Sequence, residues 1–231
     1  MSTRTSRLPC RVTALFAASS DLWHTYGGAR VLPDMPDLAE LRQKAATCTA
    51  CELYTDATQT VFGCGHAGAS MMVIGEQPGD REDLEGKPFV GPAGRMLDQA
   101  LERAGVARAD VYVTNVVKHF RFRREGKARI HRTPGVEHVR ACLPWLHAEL
   151  AAVRPTLLVT LGATAAKALL GTSFRLTQHR GEVLRYADLP LVATIHPSAV
   201  LRGPQERQAQ MLEELAADLE LAGRTATLPA R

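Results

Sequence analysis

Several short stretches carry side chains with chemistry to offer. Ile195-His196-Pro197-Ser198 sets an imidazole directly after an apolar run. There it can donate a hydrogen bond to charge developing on a substrate, the plainer alternative being a satisfied core histidine. Residues 75–94, "GEQPGDREDLEGKPFVGPAG", hold five glycines and three prolines in twenty positions, the composition of a rigid loop that lets a ligand approach the backbone closely. The glycines follow neither the dinucleotide nor the P-loop spacing. Within this loop Phe89 could wall a flat ligand or simply plug the core. "GKARIHRT", residues 126–133, surrounds one imidazole, His131, with Lys127, Arg129 and Arg132. It has no apolar period and reads either as a solvated basic loop or as a phosphate-contacting surface. Cys48 and Cys51 form a C-x-x-C pair, and Cys10, Cys64 and Cys142 are scattered.

The elements that must position these groups follow from hydrophobic patterning. Four β-type runs, "SMMVIG", "DVYVT", "TLLVTLG" and "LVATI", each stop at a polar or glycine-rich cluster. Helical patterns separate them: "AGRMLDQALERAG", "VEHVRACLPWLHAELAAV" and "TAAKALLG". Another helix, "DLAELRQKAATC", precedes them and ends near Cys48, and a last one spans about 206–221. Strands alternating with helices predict a parallel sheet covered on both faces, and continuous Val, Ile and Leu runs suit strands buried on both sides. The expected fold is therefore a three-layer α/β/α domain around a central four-stranded parallel sheet. Ligands of such sheets sit beyond the carboxyl ends of the strands. Glu76, Asn115 and His196 all lie just past strand ends, so the fold alone converges them on one cleft.

Composition sets the frame. The chain has 231 residues, 45% hydrophobic and 23% charged, which suits one compact domain. We expect that domain over residues 35–224, with a loosely ordered extension at 1–34 and a short tail at 225–231. The net charge of +4 matters less than its distribution. Lys118, Arg121, Arg123, Arg124, Lys127, Arg129 and Arg132 face a single acid, Glu125, in one stretch. Five cysteines, an odd number, argue against a disulfide framework and for a reducing cytoplasm. No apolar run approaches the ~20 residues of a membrane span, and the basic, faintly signal-like start is short and interrupted.

"GEQPGDREDLEGKPFVGPAG", "VYVTNVVKHFRF", "GKARIH", "LGATAAKALLG" and "IHPSAVLRG", in this order over roughly residues 36–222, resemble the uracil-DNA glycosylase superfamily. Specifically they resemble its X class (UdgX), iron–sulfur relatives that crosslink themselves to DNA. The resemblance implies a [4Fe-4S] cluster held by Cys48, Cys51 and Cys142, with His119 in the place of the usual fourth cysteine. Zinc accepts the same donor types, so only the family likeness selects iron–sulfur. The resemblance further implies that Phe89 stacks on a flipped uracil and Asn115 reads its O4 and N3–H. Glu76, counted with His131 and His196 as catalytic, would exclude the thymine methyl and, with Gln77, orient His131 or its loop, while Gln77, Gly79, Asp80 and Ser198 would complete the substrate site.

In the same likeness His196 stabilises the departing base, and His131 captures the sugar carbon C1′ to leave a covalent adduct. Lys127, Arg129 and Arg132 would hold the flanking phosphates, and their charge would depress the His131 pKa and keep the ring neutral. The usual histidine-loop pattern is Lys-Arg-Arg-Ile-His, so Ala128 removes one cation. Gln77 replaces an alanine typical of the hydrolytic relatives. The expected substrate is uracil-containing DNA, preferably single-stranded, acted on by a monomer with no membrane contact. Two alternatives remain: a conventional multiple-turnover iron–sulfur uracil-DNA glycosylase, and a non-catalytic iron–sulfur DNA-binding module.

Overall fold

A computed structural model describes residues 37–226. The expected extension at 1–34, Cys10 and positions 227–231 lie outside the described residues. Helix α1 (Leu38–Ala45) is N-capped by the Asp37 carboxylate and leads through a short 3-10 turn (Glu52–Thr55) to strand β1 (Met71–Gly75). Then come α2 (Asp80–Glu85), α3 (Pro92–Arg103), β2 (Val111–Asn115), β3 (Phe122–Glu125) and β4 (Ala128–His131). After α4 (Val136–Val153) follow β5 (Leu157–Leu161), α5 (Ala163–Leu170), α6 (Leu176–His179), β6 (Val183–Tyr186), β7 (Leu189–Thr194), α7 (Pro197–Arg202) and α8 (Gln205–Ala226). The last helix thus carries the domain two residues beyond the expected boundary at 224.

The central sheet has the order β2-β1-β5-β7-β6. The first four strands are parallel, as the apolar runs predict, and β6 adds a fifth, antiparallel to β7. The four-stranded expectation misses β6 because half-exposed "VLRY" carries no continuous apolar run.

Alternation along each strand sends successive side chains to opposite faces, and the sheet has two cores accordingly. Met72, Ile74, Tyr112, Leu158 and Leu191 pack with Leu146 and Leu150 of α4 and with Ala165 and Ala166 of α5. On the other face Met71, Val73, Val113, Val159 and Val192 meet Leu97 and Leu101 of α3 and Leu215 and Leu219 of α8. These are the three layers. A smaller cluster, including Leu41, Phe62 and Trp145, docks α1 against α4. Among the described residues no helix is long and apolar enough to cross a membrane.

Two strand junctions place the site. Gly75 pairs with Asn115 across β1 and β2, and Leu161 pairs with Thr194 across β5 and β7. The chain leaves β1 toward β2 and leaves β5 toward β7, so the order reverses between β1 and β5. Open α/β sheets bind ligands at such a switch point.

Candidate active site

Asn115 is nearly fully buried at the end of β2. Its carboxamide lies over Gly75, where a Cβ would collide with Asn115 Oδ1 and come within 2.8 Å of Phe89 Cζ. Glycine at position 75 therefore makes the space in which amide and ring face one another. Phe89 itself has a left-handed backbone (φ 56°), with Gly94 so close that a Cβ there would meet the Phe89 carbonyl. A non-glycine residue at such a φ is strained, and strain of this kind gathers at ligand sites. Glu82 stabilises the loop: its two carboxylate oxygens accept the N–H groups of Gly79 (3.1 Å) and Gly91 (2.7 Å).

His196 caps α7. Its ring is roughly parallel to that of Phe89, with centroids 6.4 Å apart. The Ser198 backbone N–H donates to His196 Nδ1 (3.2 Å), and the Ser198 hydroxyl lies 2.7 Å from the same nitrogen. Nδ1 is thus an acceptor, and in the neutral ring the proton sits on Nε2. Burial first, then the charges of Arg202 and His131, push the His196 pKa down to about 4. At neutral pH the site holds an uncharged imidazole, and among the described residues no hydrogen bond engages its Nε2–H. Such a donor suits an oxygen on which negative charge develops.

His131 does not lie in a loop. It is the last residue of β4 in a hairpin whose pairs run from Phe122–His131 to Glu125–Ala128. Gly126, at φ 58°, and Lys127 form the two-residue turn, a positive-φ connection that suits a tight hairpin. Gln77 clamps the base of this hairpin. Its Nε2 donates to the carbonyls of Arg121 and Arg132, both at 3.1 Å, while its Oε1 accepts the Arg121 N–H at 3.0 Å. The Gln77 carboxamide is therefore engaged by the strand ends.

Replacing Gln77 by Ala leaves the part-buried Arg121 N–H and Arg132 carbonyl without this partner, while the Arg121 carbonyl keeps the Arg132 N–H, a cost of up to about 1–3 kcal/mol for each group left unpaired. We expect Gln77→Ala to loosen the hairpin, measured as faster amide hydrogen exchange across β3 and β4.

His131 Nε2 stands 3.5 Å from Glu76 Oε1, a buried oxygen with no hydrogen-bond partner among the described residues. The His131 pKa is lowered, as expected, but for a different reason. Desolvation is the largest cause, Glu76 opposes it, and the cation that assists is Arg202. The expected agents, Lys127, Arg129 and Arg132, are not the cause. Arg129 is engaged elsewhere: Nε meets Asp80 at 2.6 Å and a terminal nitrogen meets the fully buried Asp83 at 2.5 Å. Its guanidinium also stacks on Phe120 and Phe122. Arg129 and Asp80, expected at phosphate and substrate respectively, thus pair with each other and pin the hairpin to α2. Among the described residues Lys127 and Arg132 remain exposed without such partners. A cavity of about 420 Å³ is lined by Arg121, His131, Arg132 and Thr133.

The family model for the uracil DNA glycosylase superfamily matches residues 62–220. The chain belongs to that superfamily. It is 37% identical over 179 residues to the type-4 uracil-DNA glycosylase of Pyrobaculum aerophilum, covering 74% of this chain and 88% of that protein. The type-4 uracil-DNA glycosylase of Thermotoga maritima is 35% identical over 176 residues, with coverages of 75% and 88%. The type-5 uracil-DNA glycosylase of Pyrobaculum aerophilum is 34% identical over 176 residues, with 67% and 74% covered.

In this glycosylase-superfamily chain the expected cluster ligands gather where α1, the 3-10 turn and α4 meet. Cys51 has both Cys142 and His119 as side-chain partners, and the Cys142 contact is the main reason its pKa falls to about 4 against the effect of burial. Cys142 is pushed up correspondingly. Trp145 Nε1 donates to Cys48 Sγ at 3.2 Å. His119 Nε2 meets the Thr60 hydroxyl at 2.9 Å, and among the described residues its buried Nδ1 accepts or donates no hydrogen bond. Such an orphaned nitrogen beside a thiolate fits a metal ligand in donor type. As placed, no group of three or more His, Cys, Asp or Glu among the described residues closes around a single ion. Cys64 is exposed and bridged by its backbone to Val113.

Three groups that shape the site escaped the reading of the sequence: Glu82, Asp83 and Arg202. The signal for Arg202 was present, since it ends the helix that His196 starts. The hairpin also had a signal, the two-residue Gly126-Lys127 between short β-prone segments. Glu82 sits at the capping-box position of α2, a weak local signal, whereas Asp83 carries none, because only burial and its Arg129 partner make it matter.

Proposed function

We propose that the protein is a uracil-DNA glycosylase that excises uracil, preferentially from single-stranded DNA, and captures the resulting sugar on His131. The observation that carries the glycosylase reading is His196, a neutral donor parallel to Phe89 and at the same sheet edge as Asn115. The flipped base stacks on Phe89, which a single strand permits without unpairing. Asn115 accepts from N3–H and donates to O4; a cytosine would leave these buried groups mismatched. As the glycosidic bond breaks, its electron pair goes to the base, and His196 Nε2–H meets the negative charge growing on O2. The sugar becomes an oxocarbenium-like cation at C1′.

His131, held neutral, then supplies a ring-nitrogen lone pair to C1′. The proton remaining on the ring is lost to Glu76 or to solvent, leaving a neutral alkylated imidazole. An imidazole so alkylated is a poor leaving group, unlike the carboxylate of a glycosyl-enzyme intermediate. Lys127 and Arg132 hold the flanking phosphates. Cys48, Cys51, Cys142 and His119 would hold a [4Fe-4S] cluster whose contribution is folding free energy, joining α1 to the segment that launches the hairpin. Visible charge-transfer absorption of the purified protein distinguishes that cluster from d¹⁰ zinc, which has none.

One observation favours the second reading, ordinary hydrolysis. Glu76 Oε1 has no hydrogen-bond partner among the described residues, and a carboxylate beside C1′ could orient water. The test is incubation with a single-stranded oligonucleotide carrying one uracil, followed by SDS, heat and a denaturing gel, with free uracil measured in parallel. Covalent capture gives one uracil per shifted protein band. Uracil in excess of protein with no shifted band selects hydrolysis, and no uracil at all overturns both.

A further inference from the structure

Behind the base-facing surface the fold buries an ion pair that no step above uses. The Lys118 and Glu149 side chains are 1% and 0% exposed, and Nζ lies 2.5 Å from Glu149 Oε2. The ammonium also donates to Thr114 Oγ1 and to the Asn115 carbonyl, both at 2.7 Å, so all three of its protons are placed. Glu149 Oε1 accepts the Gly63 N–H (2.8 Å) and the Tyr112 hydroxyl (3.0 Å), and the Thr114 hydroxyl lies within 3.0 Å of both carboxylate oxygens.

Stability alone is a weak reason for such a pair, since packed apolar residues of similar volume are often as good or better. Its placement offers another. β2 is an edge strand, and Asn115 is its last residue. No hydrogen bond from protein reaches the Asn115 carboxamide among the described residues, so beyond packing against Gly75 and Phe89 its position rests on its backbone. Strand alternation directs the Thr114 side chain into the ion pair and the Asn115 side chain to the opposite face. Lys118 thus grips the residue before the reading amide by its hydroxyl and the reading residue by its carbonyl. Glu149 ties both to α4.

We propose that Lys118 and Glu149 are positioning residues that fix where Asn115 meets the base. The proposal rests on Asn115 being the base-reading group of the function proposed above. Misplacement by about 1 Å costs on the order of 10²-fold in rate, and that is the loss expected for single-turnover uracil release by Lys118→Met. Affinity for an oligonucleotide carrying an abasic analogue should be unchanged, because Asn115 has no base to read there.

The decisive readout is non-additivity: if Lys118 acts through Asn115, Lys118→Met should add little to the loss already produced by Asn115→Ala. Should Lys118→Met fail to fold, Lys118→Met/Glu149→Leu removes both charges together, and circular dichroism with a thermal melt confirms the fold. A correctly folded variant that releases uracil at the wild-type rate overturns the proposal, as does a loss that simply multiplies that of Asn115→Ala. Absence of uracil release by the wild-type protein would instead overturn the proposed function, and this inference with it.

Discussion

His131→Ala is expected to form no heat- and SDS-resistant adduct while still releasing uracil, and its uracil yield should exceed one per protein. The argument is a competition for C1′. Once His196 has stabilised the departing base, the sugar cation takes whichever nucleophile is placed against it. On the proposed reading that is, in the wild type, a neutral imidazole on a clamped hairpin, 3.5 Å from Glu76. With the ring removed, water should occupy the space, and on that reading a single-use reagent becomes a turnover enzyme. Intact-mass spectrometry of both proteins after reaction checks the claim: a mass increase that persists in His131→Ala would place the adduct on another residue.

The pH dependence has a definite sign. Burial and Arg202 outweigh Glu76 and hold the His131 pKa below the ordinary value, about 6.5 for a free histidine. Adduct formation should therefore hold level from pH 7 through that value and fall only at lower pH. Arg202→Gln removes a cation that disfavours imidazolium, so its acid limb should move to higher pH.

His196→Ala should slow uracil release by about 10²–10³-fold, the usual cost of deleting one preorganised oxyanion donor. DNA affinity should survive, because the phosphate-facing cations are untouched. Single-turnover release and binding to an abasic oligonucleotide, measured side by side, separate the two. An equal loss in both would mean that His196 holds the fold rather than the leaving group. His196 also couples stability to acid. Its folded pKa of about 4 lies below that of the unfolded chain, so between those values the unfolded state binds the extra proton. Its contribution to stability is present above about pH 6.5 and is lost as the pH falls toward 4. The alanine variant should show a weaker fall in melting temperature over that window.

What the amino-acid order determined by itself was the set of groups at the sheet edge. Runs such as "SMMVIG" and "TLLVTLG" are local signals, and strand direction follows from their alternation with helices. Glu76, Asn115 and His196 therefore meet wherever the chain folds as an α/β sheet. The edge strand β6 and the β3–β4 hairpin were less legible, because half-exposed strands carry mixed patterns.

Only the tertiary structure decided which charges meet. Arg129 looked like one of three equivalent cations, yet it lies between Asp80 and Asp83. Lys118 looked like the start of a basic surface, yet it is buried against Glu149. His131 looked depressed by its neighbours in sequence, whereas burial and a residue from α7 depress it. The reason is physical. Periodicity is a property of adjacent residues, but desolvation and ion pairing depend on which surfaces come together after the chain has closed on itself.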